Sequence, residues 1–303
     1  MAQAGETFEI ISGSDSLDLS DAVNLRVIEF EGLGMAPVQR FELAGPAQNG
    51  SSDAGFRLLP RTMRIAVRAT ADNITDFHTR RERLMEMCRP STSPIQLRWT
   101  QANGNKRQID CYYTGGLDLA STQSNKLGGW VVGRNWDFRD VIVLRAPDPT
   151  FYDPDGFSED FSLSYSPNAF LVPTVVPSFV GTTSLNITTT FDNTARNAWD
   201  TYPTIVILGP VTGLKITNNT TGDLLDFGSN TIGSSTTYTI DTRYGYKSVT
   251  DQLGASQVSK LSTTSDLATW RLVPGVNSIT VVGTALDGNT RIYIQGNRRF
   301  IGP

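Results

Sequence analysis

Short runs of alternating apolar and polar residues dominate the first half of the chain. Met63-Arg64-Ile65-Ala66-Val67-Arg68 repeats with a period of two, which predicts a strand with Met63, Ile65 and Val67 turned inward. Leu25-Arg26-Val27-Ile28-Glu29-Phe30 reads as an earlier strand. From Ile74 to Cys88 the spacing changes to three and four, and Ile74, Phe77, Arg81 (through its stem), Leu84 and Cys88 fall on one helical face. Asn73 is placed as the N-cap, Asp76 lies in the first turn and Pro90 stops the helix. Arg80, Arg81, Arg83 and Arg89 lie toward its C-terminal end, where the helix dipole favours cations. A hairpin follows. Ile95-Gln96-Leu97-Arg98-Trp99-Thr100 alternates, Asn103-Gly104 suits a turn with positive φ, and Gln108 to Tyr113 returns, with Leu97, Trp99, Ile109 and Cys111 on one side.

A last strand, Asp140 to Arg145, runs into Ala146-Pro147-Asp148-Pro149-Thr150-Phe151-Tyr152-Asp153-Pro154, whose prolines exclude a helix or a central strand. Beyond this junction the pattern holds no helix. Thr204–Leu208, Leu214–Asn218, Asp223–Phe227, Thr236–Ile240, Thr269–Leu272, Ser278–Val282 and Thr290–Gln295 read as strands separated by Gly209-Pro210, Thr221-Gly222-Asp223, Pro274-Gly275 and Asp287-Gly288-Asn289. Many short strands without helices between them predict a sandwich or barrel. Phe170 to Pro177 is interrupted by proline and reads as an extended edge or covering arm. The expectation is a mostly β, two-domain chain, 1–153 and 154–303, with a Pro-rich connecting arm at about 154–200.

Composition sharpens the division. Residues 1–150 hold 17 Lys+Arg, 18 Asp+Glu and 20 Ser+Thr, whereas residues 151–303 hold 9, 12 and 40. The first half is charged and the second is a Thr-rich β sequence. A net charge of -4 over 303 residues argues against nucleic acid as the main partner. One histidine and two cysteines are too few for Cys/His zinc sites, iron–sulfur clusters or a disulfide framework, so no cofactor or metal is expected. Met1 to Phe8 lacks the basic and apolar regions of a secretory signal, and no apolar run approaches a membrane span. Cytosolic synthesis with reduced Cys88 and Cys111 is therefore expected.

Catalytic patterns are scarce. His78 sits mid-helix with no Gly-x-Ser-x-Gly elbow in the chain. Gly32-Leu33-Gly34-Met35-Ala36-Pro37 begins like a dinucleotide loop, but Pro37 takes the place of the third glycine, so it reads as a turn. Asp153, Asp155, Glu159 and Asp160 lack the spacing of a calcium hand. None of these patterns points to an enzyme. Trp199, Trp270, Tyr238, Tyr244 and Tyr246 offer rings on which sugar could stack, with Trp270, Tyr244 and Tyr246 the candidates for an alternative, carbohydrate-binding reading.

Thr201-Tyr202-Pro203-Thr204-Ile205-Val206-Ile207-Leu208-Gly209-Pro210 resembles the opening strand of the C-terminal domain of siphophage distal tail proteins. Ile216 to Gly222, Tyr238-Thr239-Ile240-Asp241, Val273-Pro274-Gly275-Val276-Asn277-Ser278-Ile279 and the closing Arg298 to Pro303 follow in similar order, and Leu144 to Tyr152 resembles the end of that family's first domain. The resemblance spans most of residues 60–303 and rests on order and spacing.

It implies an N-terminal β-sandwich hub domain with one helix and an extended hairpin, and a C-terminal galectin-like antiparallel β-sandwich. It also implies a structural virion protein: a hexameric ring at the tip of a long non-contractile tail, joining the tail tube protein to the tip hub protein and docking receptor-binding proteins or fibres. Nucleic acid and membrane are not among the implied partners. A ring subunit presents two different surfaces to its neighbours. The hairpin residues Arg98, Asn103, Gly104, Lys106 and Arg107 are the candidates for that interface.

Overall fold

The computed structural model describes residues 6–21, 24–118, 136–161 and 184–303, which form two compact units: the chain up to Pro154 together with Phe300–Pro303, and Asp155–Arg299. The proposed Phe170–Pro177 arm lies outside the described residues.

The strand signalled by Met63, Ile65 and Val67 runs from Arg61 to Ala71 and lies at the centre of the first unit, with those three side chains fully buried. It pairs antiparallel with Trp136–Ala146 on one side and with Leu25–Glu31 on the other. The second pairing contains a bulge between Val27 and Glu29. One extra residue switches the phase of the strand. Ile28 is thereby left exposed, while Phe30 packs on the core and meets Phe8 at a ring separation of 4.0 Å.

From Trp136–Ala146 the sheet continues through Lys106–Gly116, Ile95–Thr100 and Thr7–Ser12. Closure comes from the stretch Asp15–Asp21, kinked at the buried Leu19. Its first half pairs with Thr7–Ser12 and its second with Leu25–Glu31, so the path returns to its start around one core. A strand that changes partners at a bend is the usual way a sheet turns such a corner.

The helix spans Ile74–Met87, and Asn73 caps it by accepting the Asp76 amide at 2.8 Å. Phe77, Leu84, Met87 and the following Cys88 are buried, and the Phe77 ring stands edge-on to Phe138. Ile74, expected on the same face, is 49% exposed at the start of the helix. No basic residue lies in the last turn. Arg83 instead pairs with Asp15 and with Glu86.

Cys88 and Cys111 are free, buried thiols whose pKa is pushed up to about 12 by burial. The thiolate is the nucleophile, so at about pH 8 almost none is available. Both should resist iodoacetamide in the folded chain and react once urea unfolds it. Rapid alkylation of native protein would show that the core opens.

The second unit is an antiparallel sandwich. One sheet has the order Phe157–Asp160, Arg291–Gly296, Thr204–Leu208, Thr237–Asp241, Ser248–Asp251; the other has Ser184–Asn193, Gly275–Thr284, Val211–Asn218, Leu224–Asp226, with Thr231–Ile232 also against Val211–Asn218. Ile205, Ile207, Ile240, Ile292 and Ile294 from the first sheet and Leu185, Ile216, Leu225, Ile279 and Val281 from the second make the core. Alternation along each strand places them there.

Two expectations change here. Thr269–Leu272 is not a strand: apart from the single bridge Thr201↔Leu272, the stretch is built from turns in which the Thr269 and Trp270 amides donate to the Asp266 carbonyl. Ser184–Asn193, a ten-residue strand, was not expected. The chain is thus mostly β, with one α-helix among the described residues.

Candidate functional site

The Ile95–Thr100/Lys106–Gly116 hairpin forms in register, Leu97 opposite Ile109 and Trp99 opposite Arg107. Its connection is longer than a two-residue primed turn. Gly104 alone takes a positive φ, +86°, and the Gly104 amide donates to Gln101. Both edges of the hairpin are already paired within the chain. Ile95–Thr100 carries Thr7–Ser12, and Lys106–Gly116 carries Trp136–Ala146 followed in line by Phe151–Tyr152. Strand pairing with a neighbour therefore has no open edge here, and only the loop 101–105 stands clear of the sheet.

The five candidate residues separate accordingly. Asn103 and Gly104 are exposed at the tip and Lys106 is half-buried beside it. Arg98 is tied into a network: its Nε donates to Gln108, Gln108 donates to the Tyr152 hydroxyl, and that hydroxyl donates to Asp110 at 2.7 Å. Burial and the Asp110 carboxylate push the Tyr152 hydroxyl pKa up. Arg107 is buried, with its guanidinium 3.6 Å from the Phe300 ring centroid, and burial pulls its pKa down.

A different pair of strands leaves the body of the unit. Val38–Leu43 and Ser52–Leu58 pair only with each other among the described strands, forming a two-stranded ribbon. Val38, Phe41, Leu43 and Phe56 on it are 45%, 41%, 67% and 51% exposed. Arg40 lies over Phe56 and ion-pairs with Asp53 at 2.7 Å, while Arg57 lies over Phe41 and donates to Gln39. An isolated two-stranded ribbon is at best marginally stable in water, and exposed apolar side chains on it make it a candidate interaction surface. The sequence carries a usable signal: two apolar-polar runs flank Ala44-Gly45-Pro46-Ala47-Gln48-Asn49-Gly50-Ser51, a turn-rich connection that sequence reasoning passed over.

The ribbon is held at its base by Arg61, which is fully buried. Its Nη1 donates to the carbonyls of Gly32, Leu33 and Gly34 at 2.8, 2.8 and 2.6 Å, its Nε to Pro149 at 3.1 Å and its Nη2 to Ile301 at 2.9 Å. The guanidinium also stacks 4.9 Å from the Phe151 ring centroid. The turn that began like a phosphate loop thus offers carbonyl oxygens to a cation, the opposite polarity to a phosphate cradle. Gly32 is required there: its φ is +82°, and an added Cβ would collide with the Thr62 carbonyl.

The aromatic candidates of the second unit also separate. Trp270 is fully buried in the sandwich core and Tyr238 is 8% exposed, so neither ring faces solvent. Trp199 is half-buried. Tyr244 and Tyr246 are 69% and 66% exposed. His78 is exposed on the helix, edge-on to Phe77. Among the described residues no group of three or more His, Cys, Asp or Glu is placed to hold a metal ion, and no helix is long and apolar enough to cross a membrane.

A solved structure shares this fold. The fold is similar to that of the SPP1 Dit protein. The similarity covers 96% of this chain and 98% of that one, with a TM-score of 0.61 at 15% sequence identity. Dit of SPP1 is described as a paradigm of the hub adsorption apparatus in phages that infect Gram-positive bacteria. Two structures of the phage P2 baseplate in its activated conformation, with calcium and with strontium, match at a TM-score of 0.45 and 10% identity, over 96% of this chain and 97% and 98% of theirs. No protein-family model and no curated protein matches the sequence.

Proposed function

We propose that the chain is a distal tail protein: a structural, non-catalytic subunit that forms a ring, hexameric by family resemblance, at the tip of a long non-contractile phage tail. The ring joins the tail tube protein to the tip hub protein. The second unit is its galectin-like domain and docks receptor-binding proteins or fibres. The observation that carries this reading is the likeness to SPP1 Dit across 96% of the chain, which takes in both units. Fold likeness alone does not transmit function. The exposed apolar ribbon supplies the local reason, because a ring subunit needs a surface its neighbour covers.

The reading is tested by the solution mass of the purified chain. Light scattering over a concentration series, alone and with tail tube protein, should give six times the 33.1 kDa chain, with six-fold rings in negative stain. The combined variant Phe41→Ser, Leu43→Ser, Phe56→Ser should return the monomer mass while keeping the circular dichroism spectrum of the parent. A parent chain that stays monomeric at every concentration and ignores the tube protein would count against the ring.

A further inference from the structure

The exposed tyrosines of the second unit lie on the turn between the strands Thr237–Asp241 and Ser248–Asp251, separated by Gly245 at φ +80°. Each ring is fixed from one side. The Arg243 guanidinium stacks 5.0 Å from the Tyr246 centroid and is itself clamped by Asp241 at 2.6 Å. The Lys247 ammonium lies 4.8 Å from the Tyr244 centroid and 5.7 Å from that of Tyr202, and donates to the carbonyls of Leu267 and Ala268. Tyr202 meets Tyr244 edge-on at 4.7 Å. Asp200 and Arg271 form an ion pair at 2.9 Å with side chains 28% and 34% exposed. Tyr202 links this pair to Tyr244: its hydroxyl pKa is raised first by burial, then by Tyr244 and Asp200 beside it.

We propose that Tyr244 and Tyr246, with the Asp200–Arg271 pair, form a binding platform for a neutral saccharide. The apolar C–H face of a pyranose packs on an aromatic plate, and its hydroxyls hydrogen-bond to a carboxylate and a guanidinium. Rings already held by cations and a glycine turn lose little freedom on binding.

Two other occupants fit less well. Two tyrosines this exposed offer roughly 200–330 Å² of ring surface, well short of the ~800 Å² a side that a stable protein interface buries. An acidic polymer would find Arg243 and Arg271 each paired with a carboxylate and Lys247 committed to the Leu267 and Ala268 carbonyls, and would face Asp241 and Asp200 as well.

The test uses the full chain, titrated by calorimetry with tetrasaccharides of glucose, galactose and N-acetylglucosamine, and with poly(glycerol phosphate) as the acidic comparator. At least one neutral tetrasaccharide should bind. Tyr244→Ala and Tyr246→Ala should each weaken it about tenfold or more, the scale of a lost stacking contact. Tyr244→Phe should retain binding, and all three variants should unfold at the parent's midpoint, since these positions are exposed. The proposal is overturned if no neutral tetrasaccharide binds, if binding survives both alanine variants, or if poly(glycerol phosphate) is preferred. Loss of self-association in the alanine variants, without saccharide binding by the parent, would also overturn it and make the patch a contact between copies.

Discussion

Arg61→Met should destabilise the first unit by about 3–5 kcal/mol, read as a lower urea or thermal midpoint. Methionine fills much of the volume but donates nothing, and the carbonyls of Gly32, Leu33, Gly34, Pro149 and Ile301 lose their shared donor together. A buried acceptor left without a partner costs about 1–3 kcal/mol, and water entering the gap relieves part of the total. Burial itself is unfavourable for this cation and pulls its pKa down, so the net effect is smaller than a sum over five bonds. Arg61→Lys separates charge from geometry. The ammonium keeps the charge but loses the planar fork and the stack on Phe151, so a loss of roughly half that of methionine is expected. A methionine variant with the parent's midpoint would mean that water replaces the guanidinium at no cost.

How much of this was written locally follows from what each element requires. The helix was legible because its cap, its spacing and its stop all lie within a few residues: Asn73, Phe77, Leu84 and Pro90. The Arg61–Ala71 strand was legible from strict alternation. Arg61 itself carried a signal in retrospect, since it shares the inward phase of Met63, Ile65 and Val67 and a charged residue in that phase must find partners in the core. Those partners come from residues 27–29 positions earlier and 88 and 240 positions later, beyond any local pattern. Ser184–Asn193 was hidden for another reason. Its outward positions are polar, and one of its inward positions is Asn193, buried and donating weakly to Trp199 and Val273 rather than presenting an apolar side chain.

The candidate surfaces show the same limit. Alternation located the 95–113 hairpin, but whether an edge strand is free depends on what pairs with it, and Thr7–Ser12 and Trp136–Ala146 come from distant parts of the chain. The ribbon had the opposite fate. Its strands are short, bulged between Arg40 and Glu42 and exposed, so they lack the buried phase by which a strand is recognised. Among the aromatic candidates, residue type alone could not separate the buried Trp270 from the exposed Tyr244 and Tyr246.

Deleting Phe300–Pro303 should lower the unfolding midpoint of the first unit, because these four residues belong to it. Phe300 is 2% exposed in the first core, and losing a buried phenylalanine ring costs about 3–5 kcal/mol. The deletion also uncovers the Arg107 guanidinium, which stacks on that ring, and removes the Ile301 carbonyl that accepts from Arg61. Arg107 regains water and so offsets part of the loss, since burial disfavours its charge. Phe300→Ala should therefore account for most of the effect, and scanning calorimetry should read it as a lower midpoint for the first unit. Equal midpoints with and without the four residues would show that the segment rests on the unit without supporting it. If the shift is found, a fragment ending at Pro154, which lacks the same ring and the same carbonyl, should likewise be less stable than that unit in the full chain.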